Sequence, residues 1–487
     1  MKNCIFPMIA LLWTMSCTTK NEVPQPAPKD LFTSELGKLK EYFKIPGLAV
    51  LVQQGDSTLY EDYFGYADRE NQKMVDSTTQ FPIASITKVF SAVALLQLQE
   101  QGKLTLDTPI TAYIPKSHFG DTIQIDHILS HTSQGIPGKH FYYSYRFGTL
   151  TSVIEKAADT SFTACLEQAI FEPLQLRQTY FLSDSSTVTA TTARPYDLGD
   201  VLLPGKIEYG VSASAGIVSS LGDLVKFSRA LDDVLLKESS RIQMFAPFQP
   251  KLPYGYGIFS QKVAGKQLLW AYGQYDSYSS LFLKVPELDL TLVLLANNNL
   301  MSDPARLING DITSSLFALS FLKNFVWDFH NIPLFEDEDM DTKFADGSKF
   351  YQKKLLAEAL ATSYMGRFDT LELSKSKRLL RKNFIHYPNY VEYADLNLLH
   401  TLTFIKSVHF HRELGPFNAF DPQIEAIGNQ LLSQDPDNPY AHVYLGEYFD
   451  GQGEPEKARF HFEALANAEN FSPFWYTATA KQWLAEH

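Results

Sequence analysis

Strand patterns stand at both ends of a mostly helical stretch, and this order constrains the fold more than any other feature of the chain. Residues 46–66 predict two strands, the first of them apolar, joined by a turn at Gly55-Asp56. After a mostly helical and loop-rich stretch from 104 to about 236, strand patterns return at residues 255–263, 267–272, 279–285 and 290–295. We therefore expect an α+β domain over residues 31–325. Its two ends would close one antiparallel sheet, flanked by helices and a mostly helical subdomain.

The composition changes after Val326. Residues 326–350 carry the acidic run 336–339 and few periodic signals, which is typical of a linker. Residues 351–487 have a helical pattern. After Asp437-Asn438-Pro439, this part resembles a tetratricopeptide repeat at Leu445, Gly446, Phe449, Ala458 and Phe462. We expect an all-α helical-repeat domain here, with an unrelated pair of helices as the alternative.

The acidic balance of the chain limits its partners. The 487 residues carry 42 Lys and Arg against 55 Asp and Glu, a formal charge of −13. This charge argues against nucleic acid or an anionic membrane surface as a partner. With 45% apolar residues, the chain has enough material for the core of an ordinary globular protein.

The first 17 residues have the pattern of a targeting segment. Lys2 precedes a short apolar stretch from Ile5 to Met15, too short to span a bilayer, and Ser16-Cys17 follows. The pattern resembles a bacterial lipoprotein signal, which implies an exported cell-envelope protein that meets the membrane only through a lipid on Cys17. Thr14 stands where such signals usually have an aliphatic residue, so plain secretion and an uncut anchoring segment remain open. Residues 18–30 are polar and proline-rich and predict a tether.

A serine followed three residues later by lysine can make a hydroxyl nucleophilic. On a helix the two side chains share one face, and a neutral lysine amine can accept the serine proton. Free N–H groups in the first turn of a helix also suit an oxyanion. The pattern occurs at Ser85/Lys88, Ser320/Lys323 and Ser374/Lys377.

Context separates these three copies. Ser85 stands at the start of an apolar helical pattern that continues to a stop at Gly102. The Ser320 copy lies inside an apolar helix that ends in lysine, and the Ser374 copy lies in a solvated basic run. We therefore predict Ser85 as the candidate nucleophile and Lys88 as its base.

No other chemistry stands out. Cys4 and Cys17 belong to the targeting segment, and Cys165 in its apolar setting predicts a small core residue. The histidines lack zinc-ligand spacing, and His409/His411 alternate as in a strand or loop. We expect no metal and no cofactor.

Several stretches in order resemble one superfamily, the serine beta-lactamases and penicillin-binding proteins, and in particular its class C-like hydrolases and esterases. The resemblance covers about residues 31–325. It is carried by Phe81 to Lys88, Glu100 to Asp107 with Tyr113-Ile114-Pro115, Ile128 to Pro137, and Ser214 to Ser220 with Asp223-Leu224.

The resemblance implies further site residues. The second family motif, Tyr-x-Asn, falls on Tyr143, which would relay protons, while Tyr145 replaces the asparagine. The third motif, a basic residue, any residue and then Gly, falls on the strand at 270–274. There Gly273 fits, but Ala271 occupies the basic position. The glycine would let the strand approach the substrate, and the N–H groups of Ser85 and Gln274 would form the oxyanion hole.

Together these residues predict an exported serine hydrolase that forms an acyl-enzyme on Ser85. The loss of the basic residue makes neutral ester, amide or peptide-like substrates the expectation, either small molecules or fragments like peptidoglycan. The changes at Tyr145 and Ala271 also leave a second hypothesis open. This is a cell-envelope binding or scaffold protein with a degraded active site, whose C-terminal helices hold a protein partner.

Overall fold

The computed structural model describes residues 27–115, 119–327, 329–330, 332–335, 349–415 and 417–487. The predicted lipidation site Cys17, most of the tether and residues 336–348 of the predicted linker lie outside this described part. Among the described helices, none is both long enough and apolar enough to cross a bilayer.

An antiparallel sheet is the frame of the first half of the chain. The described strands are β1 (Gly47–Gln54), β2 (Ser57–Asp68), β3 (Lys73–Met74), β4 (Phe81–Pro82), β5 (Tyr180–Phe181), β6 (Tyr196–Leu198), β7 (Leu202–Pro204), β8 (Ile217–Ser219), β9 (Phe259–Val263), β10 (Lys266–Tyr275), β11 (Tyr278–Val285) and β12 (Leu290–Ala296). The main sheet has the order β3-β2-β1-β12-β11-β10-β9. Leu48 of β1 pairs with Ala296 of β12, so the two ends of the domain meet in the sheet centre, as predicted.

Helices pack on the sheet and fill the insertion between β2 and β9. The described helices are α1 (Pro28–Tyr42), α2 (Thr87–Glu100), α3 (Ile125–Leu129), α4 (Leu150–Ala158), α5 (Phe162–Leu166), α6 (Leu221–Asp233), α7 (Glu238–Phe245), α8 (Leu316–Phe325), α9 (Lys349–Met365), α10 (Thr370–His386), α11 (Leu396–His411), α12 (Asp421–Gln434), α13 (Pro439–Gly451), α14 (Pro455–Ala466) and α15 (Trp475–Glu486). The fold is therefore the expected α+β domain, followed by an all-helical C-terminal region over residues 349–486. Cys165 is buried in α5, which agrees with its predicted place in the core.

The predicted start of the strand at residue 255 is wrong, because β9 begins at Phe259. Residues 255–258 form a bend before β9, and Gly257 adopts a φ of 72°. A Cβ on Gly257 would lie 2.7 Å from the Lys88 carbonyl oxygen, so only glycine lets the bend pack this closely on α2. The apolar pattern could not reveal this contact, because it joins residues far apart in the chain.

Helix α2 is the centre of the domain. Its residues from Thr87 to Leu96 are all buried, and Phe90 stacks on Phe227 of α6 with ring centroids 3.7 Å apart. Burying an apolar side chain of this size contributes roughly 1.5–3 kcal/mol. A helix enclosed in this way holds the residues before its first turn in a fixed place.

The other two Ser-x-x-Lys copies are structural. Lys323 of α8 forms a buried ion pair of 2.5 Å with Glu35 of α1, and Ser320 donates to the same carboxylate at 2.6 Å. Ser374 is exposed on α10 and donates to the carbonyl of Thr370. These contacts leave Ser85 as the candidate nucleophile of the three.

The C-terminal helices pack directly on the sheet domain. Tyr364 of α9 donates to Asp303 at 2.5 Å, and Lys353 pairs with Asp311 at 2.7 Å. Within the helical region, a Cβ on Gly446 of α13 would lie 2.7 Å from the ring of Phe462 on α14, so the glycine permits close helix packing. This packing agrees with a helical hairpin, and the tetratricopeptide assignment stays a prediction.

Candidate active site

Ser85 lies in a tight turn just before α2. The sequence predicted that the helix begins at Ser85, but residues Ala84–Ile86 form a 3-10 turn and α2 begins at Thr87. Ala84 has a φ of 43°, which costs a residue with a Cβ about 1–3 kcal/mol. The turn is held by β4 and by the N–H of Ile83, which donates to the carbonyl of Ile217 at 2.9 Å. The fold thus holds the Ser85 hydroxyl at the wall of a cavity.

The structure brings Lys88 and Ser85 together as the spacing predicts. The Lys88 amine lies 2.8 Å from the Ser85 Oγ and donates at 3.2 Å to the carbonyl of Ser214. Lys88 is only 4% exposed, and burial lowers the pKa of its amine to about 7. A large share of the amine is therefore neutral near neutral pH, and its lone pair is within reach of the hydroxyl proton.

Tyr143 is the third predicted residue at this point. Its ring centroid lies 4.9 Å from the Lys88 Nζ, and the residue lines the same cavity as Ser85. Burial raises the pKa of the Tyr143 phenol well above its usual range, while the Ser85 side chain acts in the opposite direction. The phenol therefore carries its proton at neutral pH and can donate it.

His131 is a site residue to which the sequence assigned no role. Its ring stacks on that of Tyr143 with centroids 4.2 Å apart, and its Nδ1 accepts the Ser144 N–H at 3.2 Å. Burial and the nearby Lys88 charge hold the pKa of His131 well below its usual value. A neutral His131 therefore positions Tyr143. The family-like loop at 128–137 contained this histidine, but only the folded contact reveals its partner.

Gly273 lies where strand β10 meets the Ser85 turn. A Cβ on Gly273 would lie 2.0 Å from the carbonyl oxygen of Ile83 and 2.3 Å from the Ser280 Oγ. The expected reason for this glycine, close approach to substrate, is therefore incomplete, because its first effect is to seat the nucleophile turn on the sheet. The pairing of β10 with β9 ends at Trp270, whereas its pairing with β11 continues to Tyr275.

The remaining predicted residues of β10 separate into two groups. Gln274 lines the cavity, and its Nε2 donates to Asp303 at 3.0 Å. Ala271 is buried in the apolar core, so its position presents no charge to the site. The oxyanion role of the Ser85 and Gln274 N–H groups stays a prediction. Tyr145 is 73% exposed and lines the same cavity.

Comparison with known proteins assigns this arrangement to a family. The family model for beta-lactamases matches residues 37–313, more than half of the chain. The chain belongs to the beta-lactamase family. Members of this family are mostly serine hydrolases, and the matched range contains Ser85, Lys88, Tyr143 and Gly273.

Relatives and solved structures agree with the family. The chain is 28% identical over 269 residues to a putative penicillin-binding protein PbpX of Bacillus subtilis (46% of this chain, 64% of the relative). It is 26% identical over 305 residues to protein flp of Staphylococcus aureus (52% and 60%). The chain thus spans less than two thirds of the length of these relatives.

Two solved structures share the fold. An octameric penicillin-binding protein homologue from Pyrococcus abyssi has a TM-score of 0.52 at 23% identity, over 55% of this chain and 73% of that one. A penicillin binding protein from Bacillus halodurans has a TM-score of 0.50 at 24% identity, over 54% and 94%. At these identities the likeness concerns the fold alone.

The cavity at Ser85 is shared between the beta-lactamase domain and the C-terminal helices. It has a volume of about 1270 Å³, and its wall includes Ser85, Gln274 and Tyr145 together with Tyr444 and Trp475 from the helical region. Arg306 follows β12 in the chain and donates at 3.0 Å to His400 of α11. The sequence did not reveal this shared wall, since no local pattern reports which surfaces of two regions meet.

Charged groups also line this cavity. Arg306 is paired with Asp303 at 3.5 Å, and burial raises the pKa of Glu447 on α13 to about 7. Glu208 accepts the N–H of Asp276 at 2.8 Å beside the end of β10. In the part of the chain that the structure describes, no group of three or more His, Cys, Asp or Glu could hold a metal ion.

Substituting Gly273 with alanine should displace the nucleophile. Because the new Cβ would overlap the Ile83 carbonyl, the Ser85 turn must move away from β10. We expect the rate of Ser85 labelling by a fluorophosphonate to fall on the order of 100-fold. Gly222→Ala in α6, where a Cβ meets nothing within 4 Å, is the matched control and should label normally. Labelling of Gly273→Ala at the wild-type rate would contradict this account.

Proposed function

We propose that the protein is a serine hydrolase that cleaves neutral esters, amides or peptide-like bonds through an acyl-enzyme on Ser85. The observation that carries the proposal is the 2.8 Å contact between the Ser85 hydroxyl and the Lys88 amine. Burial shifts the pKa of that amine to about 7, so it can act as a base near neutral pH.

The residues support a complete acyl transfer. Neutral Lys88 accepts the Ser85 proton as the Oγ attacks the substrate carbonyl, and the N–H groups of Ser85 and Gln274 stabilise the oxyanion. The carbonyl reforms as the bond to the leaving group breaks, and Tyr143 donates a proton to that group. Tyr143 regains its proton from Lys88. Water then cleaves the acyl-enzyme by the reverse proton path and restores Ser85.

The charges of the site favour a neutral substrate. Ala271 supplies no cation at the position where a carboxylate-binding residue would stand, and Arg306 already has Asp303 as its partner. The acidic side chains Glu208 and Asp276 lie in the cavity wall near the end of β10. A substrate carboxylate placed there would meet like charge, which is unfavourable. Small esters and uncharged peptidoglycan-like fragments fit these charges better.

Covalent labelling tests the proposal. A fluorophosphonate should add one adduct to the wild-type protein, and intact mass should show no adduct on Ser85→Ala. Ser374→Ala removes the exposed serine of another Ser-x-x-Lys copy and is the matched control, which should label fully. Tyr143→Phe should still label, with turnover of esters slower by about 10²–10⁴-fold. A folded wild-type protein without an adduct would instead favour the binding protein whose C-terminal helices hold a protein partner.

The pH dependence of the reaction gives a second test. The base must be neutral, and an amine with a pKa of about 7 is protonated below that pH and neutral above it. We therefore expect kcat/KM for a neutral ester to rise with pH, to pass half its maximum near pH 7 and to level off above it. A profile that is flat between about pH 5 and pH 9 would exclude Lys88 as the base.

We also propose that the protein is exported and attached to the bacterial cell envelope by a lipid on Cys17. Lys2, the apolar stretch and Ser16-Cys17 support this proposal. Expressed in a bacterium, the full chain should partition into detergent and gain the mass of a lipid at Cys17. Cys17→Ser should abolish both properties, whereas Cys4→Ser should retain them. Equal partitioning of Cys17→Ser and wild type would refute lipidation.

A further inference from the structure

Aromatic residues of the C-terminal helices contact the segment that contains Tyr143 and Tyr145. The hydroxyl of Tyr440 on α13 donates to the Tyr143 carbonyl at 3.5 Å, and the Tyr440 ring lies 6.2 Å from that of Trp475. Two residues after Tyr143, the Tyr145 ring meets Phe474 edge-on with centroids 4.7 Å apart. We call four of the aromatic residues that line the cavity the aromatic wall: Tyr145, Tyr444, Phe474 and Trp475.

The aromatic wall presents open surface to the cavity. Trp475 is 40% exposed and Tyr145 is 73% exposed, although both line the cavity. Tyr444 packs behind Trp475 with ring centroids 6.3 Å apart. Aromatic surfaces that bind a flat apolar group gain both burial and ring contact. These side chains therefore offer a stacking surface in the cavity that contains Ser85.

Arg146 fixes this wall relative to Ser85. Its guanidinium donates to the carbonyls of Ser133 at 2.6 Å and Asn470 at 2.9 Å, and to the Ser472 hydroxyl at 2.6 Å. Ser133 belongs to the loop that contains His131, and residues 470–472 lead into α15. Since Arg146 is buried, these bonds tie the segment before Trp475 to the loop that positions Tyr143.

The proposed path of the proton indicates which part of a substrate would contact the aromatic wall. In the proposed reaction Tyr143 gives its proton to the leaving group, so that group must lie next to the phenol. Tyr145 of the aromatic wall follows Tyr143 by two residues and contacts Phe474, whereas the proposed oxyanion donor Gln274 belongs to β10. The leaving group, and not the acyl group, is therefore directed toward Tyr145, Phe474 and Trp475.

We propose that the aromatic wall is a subsite for a large aromatic leaving group of a neutral ester or amide. This inference rests on the proposed function, because it uses the roles of Ser85 and Tyr143. It adds a substrate class and assigns part of the binding site to the C-terminal helices. The aromatic group would contact the exposed surfaces of Trp475 and Tyr145.

Two substrates with the same acyl group test the subsite. Phenyl acetate and 2-naphthyl acetate have leaving groups of similar acidity and differ by one aromatic ring. Wild type should favour the naphthyl ester in kcat/KM, and Trp475→Ala should lower that preference about tenfold. Trp475→Phe should retain most of it. Phe460→Ala removes a 64% exposed aromatic of α14 outside the cavity wall and should leave both kcat/KM values unchanged.

The ratio of the two kcat/KM values within one variant distinguishes loss of the subsite from misfolding, because misfolding lowers both values together. Turnover by wild type without a naphthyl preference, or an unchanged preference in Trp475→Ala, would overturn the subsite and leave the proposed function standing. If wild type turns over neither ester, the subsite is tested by measuring the binding of 2-naphthol to Ser85→Ala by calorimetry. If 2-naphthol binds and adding Trp475→Ala to Ser85→Ala weakens that binding about tenfold, the subsite is supported although the proposed function fails. If 2-naphthol does not bind, the subsite is overturned.

Discussion

The burial of Lys88 is the constraint on which the rest of the site depends. Other buried lysines have carboxylate partners: Lys323 has Glu35, Lys284 has Asp232 and Lys354 has Glu358. The described contacts of the Lys88 amine are instead a hydroxyl, a carbonyl and two aromatic rings. Lowering its pKa from 10.5 to about 7 corresponds to destabilising the charged amine by on the order of 5 kcal/mol. The amine stays buried in spite of this unfavourable free energy because α2 is enclosed by the core. Its lowered pKa allows Lys88 to act as a base near neutral pH.

The same enclosure explains the glycines around α2. Gly257 lets the bend before β9 pack on the Lys88 carbonyl, and Gly273 lets β10 pack on the Ile83 carbonyl. These two contacts lie on either side of Ser85 in sequence and limit the movement of its turn. Positioning of the nucleophile thus comes from close backbone packing as much as from side-chain bonds.

Local patterns predicted much of the fold and the centre of the site. The apolar strands β1 and β12, the apolar pattern of helix α2 and the Ser85/Lys88 spacing are properties of short segments, so a single chain reveals them. The family-like order of segments added Tyr143 and Gly273. The start of α2 at Thr87 was missed because the preceding turn is fixed by β4 and Ile217. The contact of His131 with Tyr143 and the wall built by α13 and α15 join distant segments, and no sequence periodicity reports them.

The shared cavity has a thermodynamic consequence. A ligand that touches both Ser85 and Trp475 bridges the beta-lactamase domain and the C-terminal helices. The part of its binding free energy that comes from contacts with the C-terminal helices would then also favour the packed arrangement of the two regions, because a ligand shifts an equilibrium by its difference in affinity for the two forms. With such a ligand bound, the C-terminal helices would separate from the beta-lactamase domain less readily. A change that loosens the Arg146 contacts would weaken the affinity for that ligand, although Arg146 contacts no reacting atom. For such a ligand, binding in the cavity and packing of the C-terminal helices would each strengthen the other.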